Sequence, residues 1–180
     1  MSFLKNDTIC AIATASGTAA VSMIRMSGKD SHKIALSRFI RKKELKINEI
    51  VANRMYYGEI ADLDGKIIDD VMLTFFKAPH SYTGEDSAEI VCHGSPFIQN
   101  KILEILIQSG ARLAEAGEYT MRAFVNNKMD LTQAEAVADL ISSQNEAEHR
   151  VAMNQLKGGF SKELQVLRSK LLDLTSLMEV

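Results

Sequence analysis

The sequence holds two cysteines, Cys10 and Cys92, and no Cys or His pair at a zinc-binding spacing. That excludes a disulfide framework, leaves no expected metal site, and makes a reducing cytosol the simplest setting. A basic excess is also missing: 21 Lys and Arg stand against 23 Asp and Glu, for a net charge of -2. Proteins that hold nucleic acid through bulk charge carry the opposite balance, because cations must neutralise the phosphates. No apolar run approaches the ~20 residues of a membrane helix. The start "MSFLKNDTIC" lacks the apolar core of a signal peptide, so a cytoplasmic protein without membrane contact is expected. Neither GxxxxGK[ST] nor G-x-S-x-G occurs, and Ser, His and Asp are too scattered to nominate a triad. GTP turnover through a P-loop is therefore not expected, and no catalytic residue is assigned.

What is present suits a folded domain with an appendage: 180 residues, 46% of them hydrophobic. "DTICAIATA" and "AAVSMIRMSG" read as two strands joined by a tight loop, and "KDSHKIALSRFIRKK" as a helix through Ile34, Leu36 and Ile40. "NRMYYGEIADLDGKIIDDVMLTFF" reads as a hairpin turning at Asp64-Gly65, a favoured two-residue turn. "SAEIVCHG" is a further strand, followed by a helix with Pro96 in its first turn and Gly110 past its end. The mixture predicts an α+β domain over residues 1–118. Residues 119–180 read as helices, opened by a capping box at Thr132-Gln133-Ala134-Glu135 and interrupted at Gly158-Gly159. Leu164, Leu167, Leu171, Leu174 and Met178 then form an apolar stripe that runs into "LMEV" without a stop signal, as expected for a piece of a longer chain.

The stretch "YTGEDSAEIVCHGS", residues 82–95, concentrates polar chemistry. On a strand, Glu89, Val91 and His93 share one face and Ala88, Ile90 and Cys92 the other, which makes Cys92 a core residue. Glu89 beside valine is then either a solvated side chain or a carboxylate aimed at a ligand with paired N–H donors. Arg25 raises the same question, since it ends a row with Val21 and Met23 and needs an anion, whether a ligand or a structural partner. The basic cluster "RFIRKKELK" is expected to be a solvated helix end.

Residues 116–148, "AGEYTMRAFVNNKMDLTQAEAVADLISSQNEAE", resemble the signature GEFTxRAFLNGKxDLxQAEAVxDLI of the tRNA-modification GTPases called MnmE or TrmE. "DTICAIAT", "IRMSG", "SYTGEDSAEIVCHGS" and "NQLKGGFSKEL" fall in that family's order, so the resemblance spans essentially the whole chain. It implies a mixed-sheet, folate-binding domain like that of aminomethyltransferases, which also forms a homodimer, followed by the first helices of a helical domain. The family's G domain, with its GTP, Mg and K sites, has no counterpart here.

The resemblance also implies a function. With MnmG, which carries FAD and uses NADH, such proteins modify C5 of the wobble uridine of certain tRNAs. The one-carbon unit comes from a tetrahydrofolate derivative, 5-formyl or 5,10-methylene. The family's folate contacts correspond to Arg25, Glu89 and Lys128, with Arg122 either supporting that pocket or forming an ion pair in the interdomain turn. Glu89 is expected to take the pterin N–H groups, and Arg25 and Lys128 the glutamate carboxylates. The loop "TASGTAAVS" departs from the family pattern, from which a weaker hold on the ligand or the second subunit is expected. "VNNK" in place of "LNGK" is expected to be harmless. A stand-alone aminomethyltransferase, a dimerising scaffold without ligand and a tRNA-binding module are the competing readings.

Overall fold

The computed structural model describes residues 7–42 and 44–178. The chain divides into two compact units, Met1–Tyr119 and Thr120–Val180. The first is built on strands β1 (Ile9–Ile12), β2 (Val21–Ser27), β3 (Phe39–Ile40), β4 (Met55–Ala61), β5 (Ile67–Phe76), β6 (Ser87–His93) and β7 (Arg112–Leu113). They form one mixed sheet in the order β3-β4-β5-β6-β2-β1-β7, parallel only where β1 meets β7.

Two helices, α1 (Ser31–Arg38) and α2 (Pro96–Gln108), cover one face of this sheet. Ile34 and Ala35 of α1 and Ile102, Ile105 and Leu106 of α2 pack with Ile24, Met26, Leu73, Phe75, Ala88, Ile90 and Cys92 in one buried cluster. Burying these side chains supplies most of the driving force, and the strand period of two decides which residues join them. Their sequence neighbours necessarily lie on the opposite face. Across the strands, that face carries Ala11, Arg25, Glu89, Thr74 and Met55 in one row. The next row runs through Met23, Val91, Met72 and Tyr57.

The second unit contains most of α3 (Glu118–Val125), then α4 (Leu131–Ser142), α5 (Glu146–Leu156) and α6 (Gly159–Met178). Helices α4 and α5 are tied by two side-chain bonds, Gln133 Nε2 to the Leu156 carbonyl at 2.8 Å and Gln155 Nε2 to the Thr132 carbonyl at 3.2 Å. Gly158, at φ 77°, makes the break before α6. Leu164, Leu167, Leu171 and Leu174 are exposed along α6, while the side chain of Met178 lies outside the described residues.

Four local expectations change. The first helix stops at Arg38, because Phe39 and Ile40 pair with Ile60 and Glu59 and continue the sheet instead. Arg38 of the basic cluster ends the helix, and its other described residues continue as a strand and loop, with Arg41 stacked over Tyr56 at 5.7 Å and Lys43 outside the described residues. The β4–β5 turn is one residue longer than expected. Asp62 N bonds the Lys66 carbonyl at 3.0 Å, Asp62 Oδ1 accepts from Asp64 N and Lys66 N, and Gly65 takes φ 82°. The α4 cap is Asp130, not Thr132: its carboxylate accepts from Gln133 N at 2.8 Å while Gln133 Oε1 accepts from Asp130 N at 2.9 Å. The loop between β1 and β2 is not tight but runs over residues 13–20 and is pinned to Gly94 by Ala19 and Ala20.

An ion-pair latch closes the far edge of the sheet. Arg112 on β7 bonds Asp7 Oδ2 through Nε at 2.8 Å, and grips Glu118 through Nη1 and Nη2 at 3.0 and 2.7 Å. Glu118 is buried and also accepts from Glu115 N, so it fixes the start of α3. Bidentate geometry and paired carboxylates hold this guanidinium charged far above the ordinary arginine range. Arg112→Ala is expected to cost about 2 kcal/mol in urea unfolding, since it strands a buried carboxylate. Arg112→Lys should recover part of the loss, and an unchanged midpoint for the alanine variant would contradict the latch.

Candidate functional site

Strands β2 and β6 bring the two residues singled out by alternation face to face. Arg25 and Glu89 are direct cross-strand partners. Arg25 Nε donates to Glu89 Oε1 at 2.9 Å, and Nη2 lies 2.8 Å from the same oxygen. The arginine side chain is 30% exposed and the glutamate 18%, so the pair is shielded yet reachable. Both open possibilities for these residues therefore meet in one contact: each is the other's structural counter-ion, on the face of the sheet opposite the core.

Two aromatic rings flank the arginine. The Tyr82 ring centre lies 5.5 Å from Arg25 Cζ and that of Tyr119 5.9 Å, both within cation–π range. Tyr119 Oη also donates to the Arg25 carbonyl at 2.6 Å. It stands in the first turn of α3, next to the Glu118 that Arg112 grips. Tyr82 belongs to the loop that precedes β6. That loop is braced by Ser27, whose hydroxyl meets Thr83 Oγ1 at 2.6 Å and Glu85 Oε2 at 2.7 Å, and by Asp86, whose carboxylate accepts from Ala78 N at 2.9 Å. Of the three carboxylates in residues 82–95, Glu85 and Asp86 brace the loop, and Glu89 alone joins the arginine.

Alternation could not find the two tyrosines, because they reach Arg25 from distant segments. Arg25 and Glu89 are in contact at 2.8 Å, so the two side chains stand at one place on the sheet.

The other two candidates belong to the second unit. Arg122 is a buried residue of α3 with partners of its own. Lys128 is exposed in the turn before α4, where its N–H bonds the Ala123 carbonyl at 2.8 Å. A cavity of about 510 Å³ beside it is lined by Phe124, Lys128, Asp130 and Gln133. Asn127 adopts φ 56°, a left-handed conformation that glycine prefers and asparagine tolerates, which explains why "VNNK" can stand for "LNGK".

Two further polar features lie elsewhere in the first unit. His93 Nδ1 and N bond Asp69 Oδ1 and Oδ2 at 2.7 and 2.8 Å. A depression of about 770 Å³ at the β3–β4 edge, lined by Arg41, Lys42, Glu59 and Asp70, mixes both charge signs and selects no ligand class. Among the described residues no three His, Cys, Asp or Glu side chains converge as a metal site would require, and no helix is long and apolar enough to cross a membrane.

The family comparisons bear on the same elements. Residues 8–128 match the family model described as GTP-binding protein TrmE N-terminus, and residues 131–180 match that of the MnmE helical domain. The chain is 53% identical to a tRNA modification GTPase MnmE of Parabacteroides distasonis, over 97% of its own length and 38% of the relative. It is 49% identical to the protein of that name from Flavobacterium johnsoniae and 51% to that from Bacteroides thetaiotaomicron, over 98% of the chain and 38% of each relative. The chain belongs to the MnmE family. It spans about two fifths of the relatives it matches, and the Arg25–Glu89 pair, Arg122 and Lys128 all lie within the TrmE N-terminus match.

Neither thiol of this MnmE-family chain is a reactive group. Cys10 and Cys92 are free and buried, and burial pushes both up from the ordinary 9.0 to about 11, with Asp69 adding to the effect at Cys92 and Arg112 opposing it at Cys10. A thiol raised on folding stabilises the fold fully below pH 9.0 and loses that contribution as the pH climbs through about 11. Iodoacetamide at pH 8 is expected to leave both cysteines unmodified in the native protein and to label both in urea. Labelling of native Cys92 at the rate of the unfolded chain would contradict its place in the core.

Proposed function

We propose that this chain supplies the part of a tRNA modification GTPase that binds a tetrahydrofolate one-carbon donor and forms the homodimer. The observation that carries the reading is the Arg25–Glu89 pair, half shielded on the face of the sheet that the core does not use. A reduced pterin has a polar edge of N–H and C=O groups, and a paired carboxylate and guanidinium offer the matching acceptors and donors. By the family correspondence Lys128, exposed in the second unit, is the cationic partner for a glutamate carboxylate, and Arg122 a supporting residue. When bound, the folate (5-formyl or 5,10-methylene) supplies the one-carbon unit. The residues here bind and orient it and need provide no nucleophile.

The wider function follows from family membership. The curated relatives bear the name tRNA modification GTPase, and the whole protein is taken to modify the wobble uridine of tRNA at C5, with FAD-bearing MnmG as partner. The cytosol is the natural compartment for such a reaction and for two free thiols. Exposed Val21, Met55, Tyr57 and Met72 on the open face of the sheet favour a second copy of the chain as its cover.

One observation favours the ligand-free scaffold instead: Arg25 and Glu89 already neutralise one another. Calorimetric titration separates the two readings. The protein is expected to bind 5-formyltetrahydrofolate saturably, and Glu89→Ala and Arg25→Ala each to weaken binding more than tenfold, about 1.4 kcal/mol. No saturable heat with the parent protein leaves the scaffold.

A further inference from the structure

We propose that Tyr82 and Tyr119 are positioning residues, which clamp the Arg25 guanidinium so that it and Glu89 together read one donor–acceptor edge of the ligand. The inference rests on the folate reading above for the identity of that ligand, but the clamp itself is a property of the protein.

Arginine carries a long, rotamer-rich side chain, and a partly exposed ion pair barely offsets the freedom lost in holding it still. Here both contacts fall on a single carboxylate oxygen, Oε1, so the pair lacks the parallel fork that would fix the guanidinium plane. The rings of Tyr82 and Tyr119, at 5.5 and 5.9 Å, supply the missing restraint. Each ring is anchored by separate means. Thr83, buried beside Tyr82, bonds Ser27, which lies two residues along β2 on the same face as Arg25. Tyr119 is held through its own hydroxyl on the Arg25 carbonyl and through the neighbouring Glu118, which Arg112 grips from β7. Two braces therefore converge on one side chain.

The geometry leaves a defined chemistry on offer. Among the described residues, Glu89 Oε2 and Arg25 Nη1 enter no further hydrogen bond. An acceptor oxygen and guanidinium N–H donors on two contacting side chains complement a ring N–H next to a ring C=O, as on the pyrimidine edge of a pterin. The carboxylates of a glutamate tail offer acceptors only, and one approaching Arg25 would meet the charge of Glu89 beside it. The clamped pair thus selects the pterin end.

The test combines titration with a readout that needs no ligand. Tyr82→Leu and Tyr119→Leu are expected to weaken 5-formyltetrahydrofolate binding roughly fivefold each, while Tyr82→Phe, which keeps its ring, stays within about twofold of the parent. In an Arg25→Ala background the leucine substitutions should have no further effect, because the residue they position is gone. A tail-less reduced pterin should show the same pattern. In the ligand-free protein, ¹⁵N relaxation of Arg25 Nε should report a side chain that is rigid in the parent and in Tyr82→Phe and mobile in the leucine variants. Losses that persist undiminished without Arg25, or an Nε that stays rigid in both leucine variants, overturn the clamp. If the parent binds neither folate nor pterin while the Nε data behave as expected, the folate reading falls and the clamp stands.

Discussion

The antiparallel register of β2 on β6 is the constraint on which the site depends. It sets Arg25 opposite Glu89, Ile24 opposite Ile90 and Met26 opposite Ala88 in one ladder. A slip of β2 by one residue would turn Arg25 into the core and expose Ile24 and Met26 to water, and the same slip of β6 would bury Glu89 and expose Ile90 and Cys92. Hydrophobic burial therefore locks the register, and the register creates the pair. The polar site is in this sense a product of the core behind it, which is why a half-exposed ion pair can be held in place without contributing much stability itself.

That dependence also explains what the sequence made legible. Alternation along β2 and β6 is a local property, so Val21–Met23–Arg25 and Glu89–Val91–His93 could be assigned to one face and Cys92 to the other from the sequence alone. The helix after Pro96 and the break at Gly158 were equally readable from single strong local signals. Other features depend on partners elsewhere. Phe39 and Ile40 fit a helix by spacing and leave it because β4 offers them a ladder. Asp130 outcompetes Thr132 as the cap because its carboxylate reaches Gln133 N, and Thr132 donates its hydroxyl to that same carboxylate at 2.7 Å. Tyr82 and Tyr119 are adjacent only in the folded chain, through a loop pinned to Ser27 and a helix start pinned to Arg112.

The geometry also changes how the functional residues are grouped. Reading each side chain separately assigns Glu89 to one end of a folate and Arg25 to the other. Their contact puts them at one place on the sheet, while Arg122 and Lys128 stand on the helical unit. Family membership accounts for the order of the motifs along the chain. The physical arrangement adds that β2, β6, the loop before β6 and the start of α3 act as one assembly around Arg25. Much of what looks like decoration in residues 82–95 is bracing: Thr83 and Glu85 bond Ser27 and Asp86 bonds Ala78 N, while Glu89 meets Arg25.

The most direct test of this account is a crystal structure of the protein with 5-formyltetrahydrofolate. The account predicts the pyrimidine edge of the pterin against Glu89 Oε2 and the outer nitrogen of Arg25, with the Arg25–Glu89 contact retained. A ligand that binds away from the pair, or one whose glutamate carboxylate sits on Arg25 with the pterin elsewhere, would contradict it.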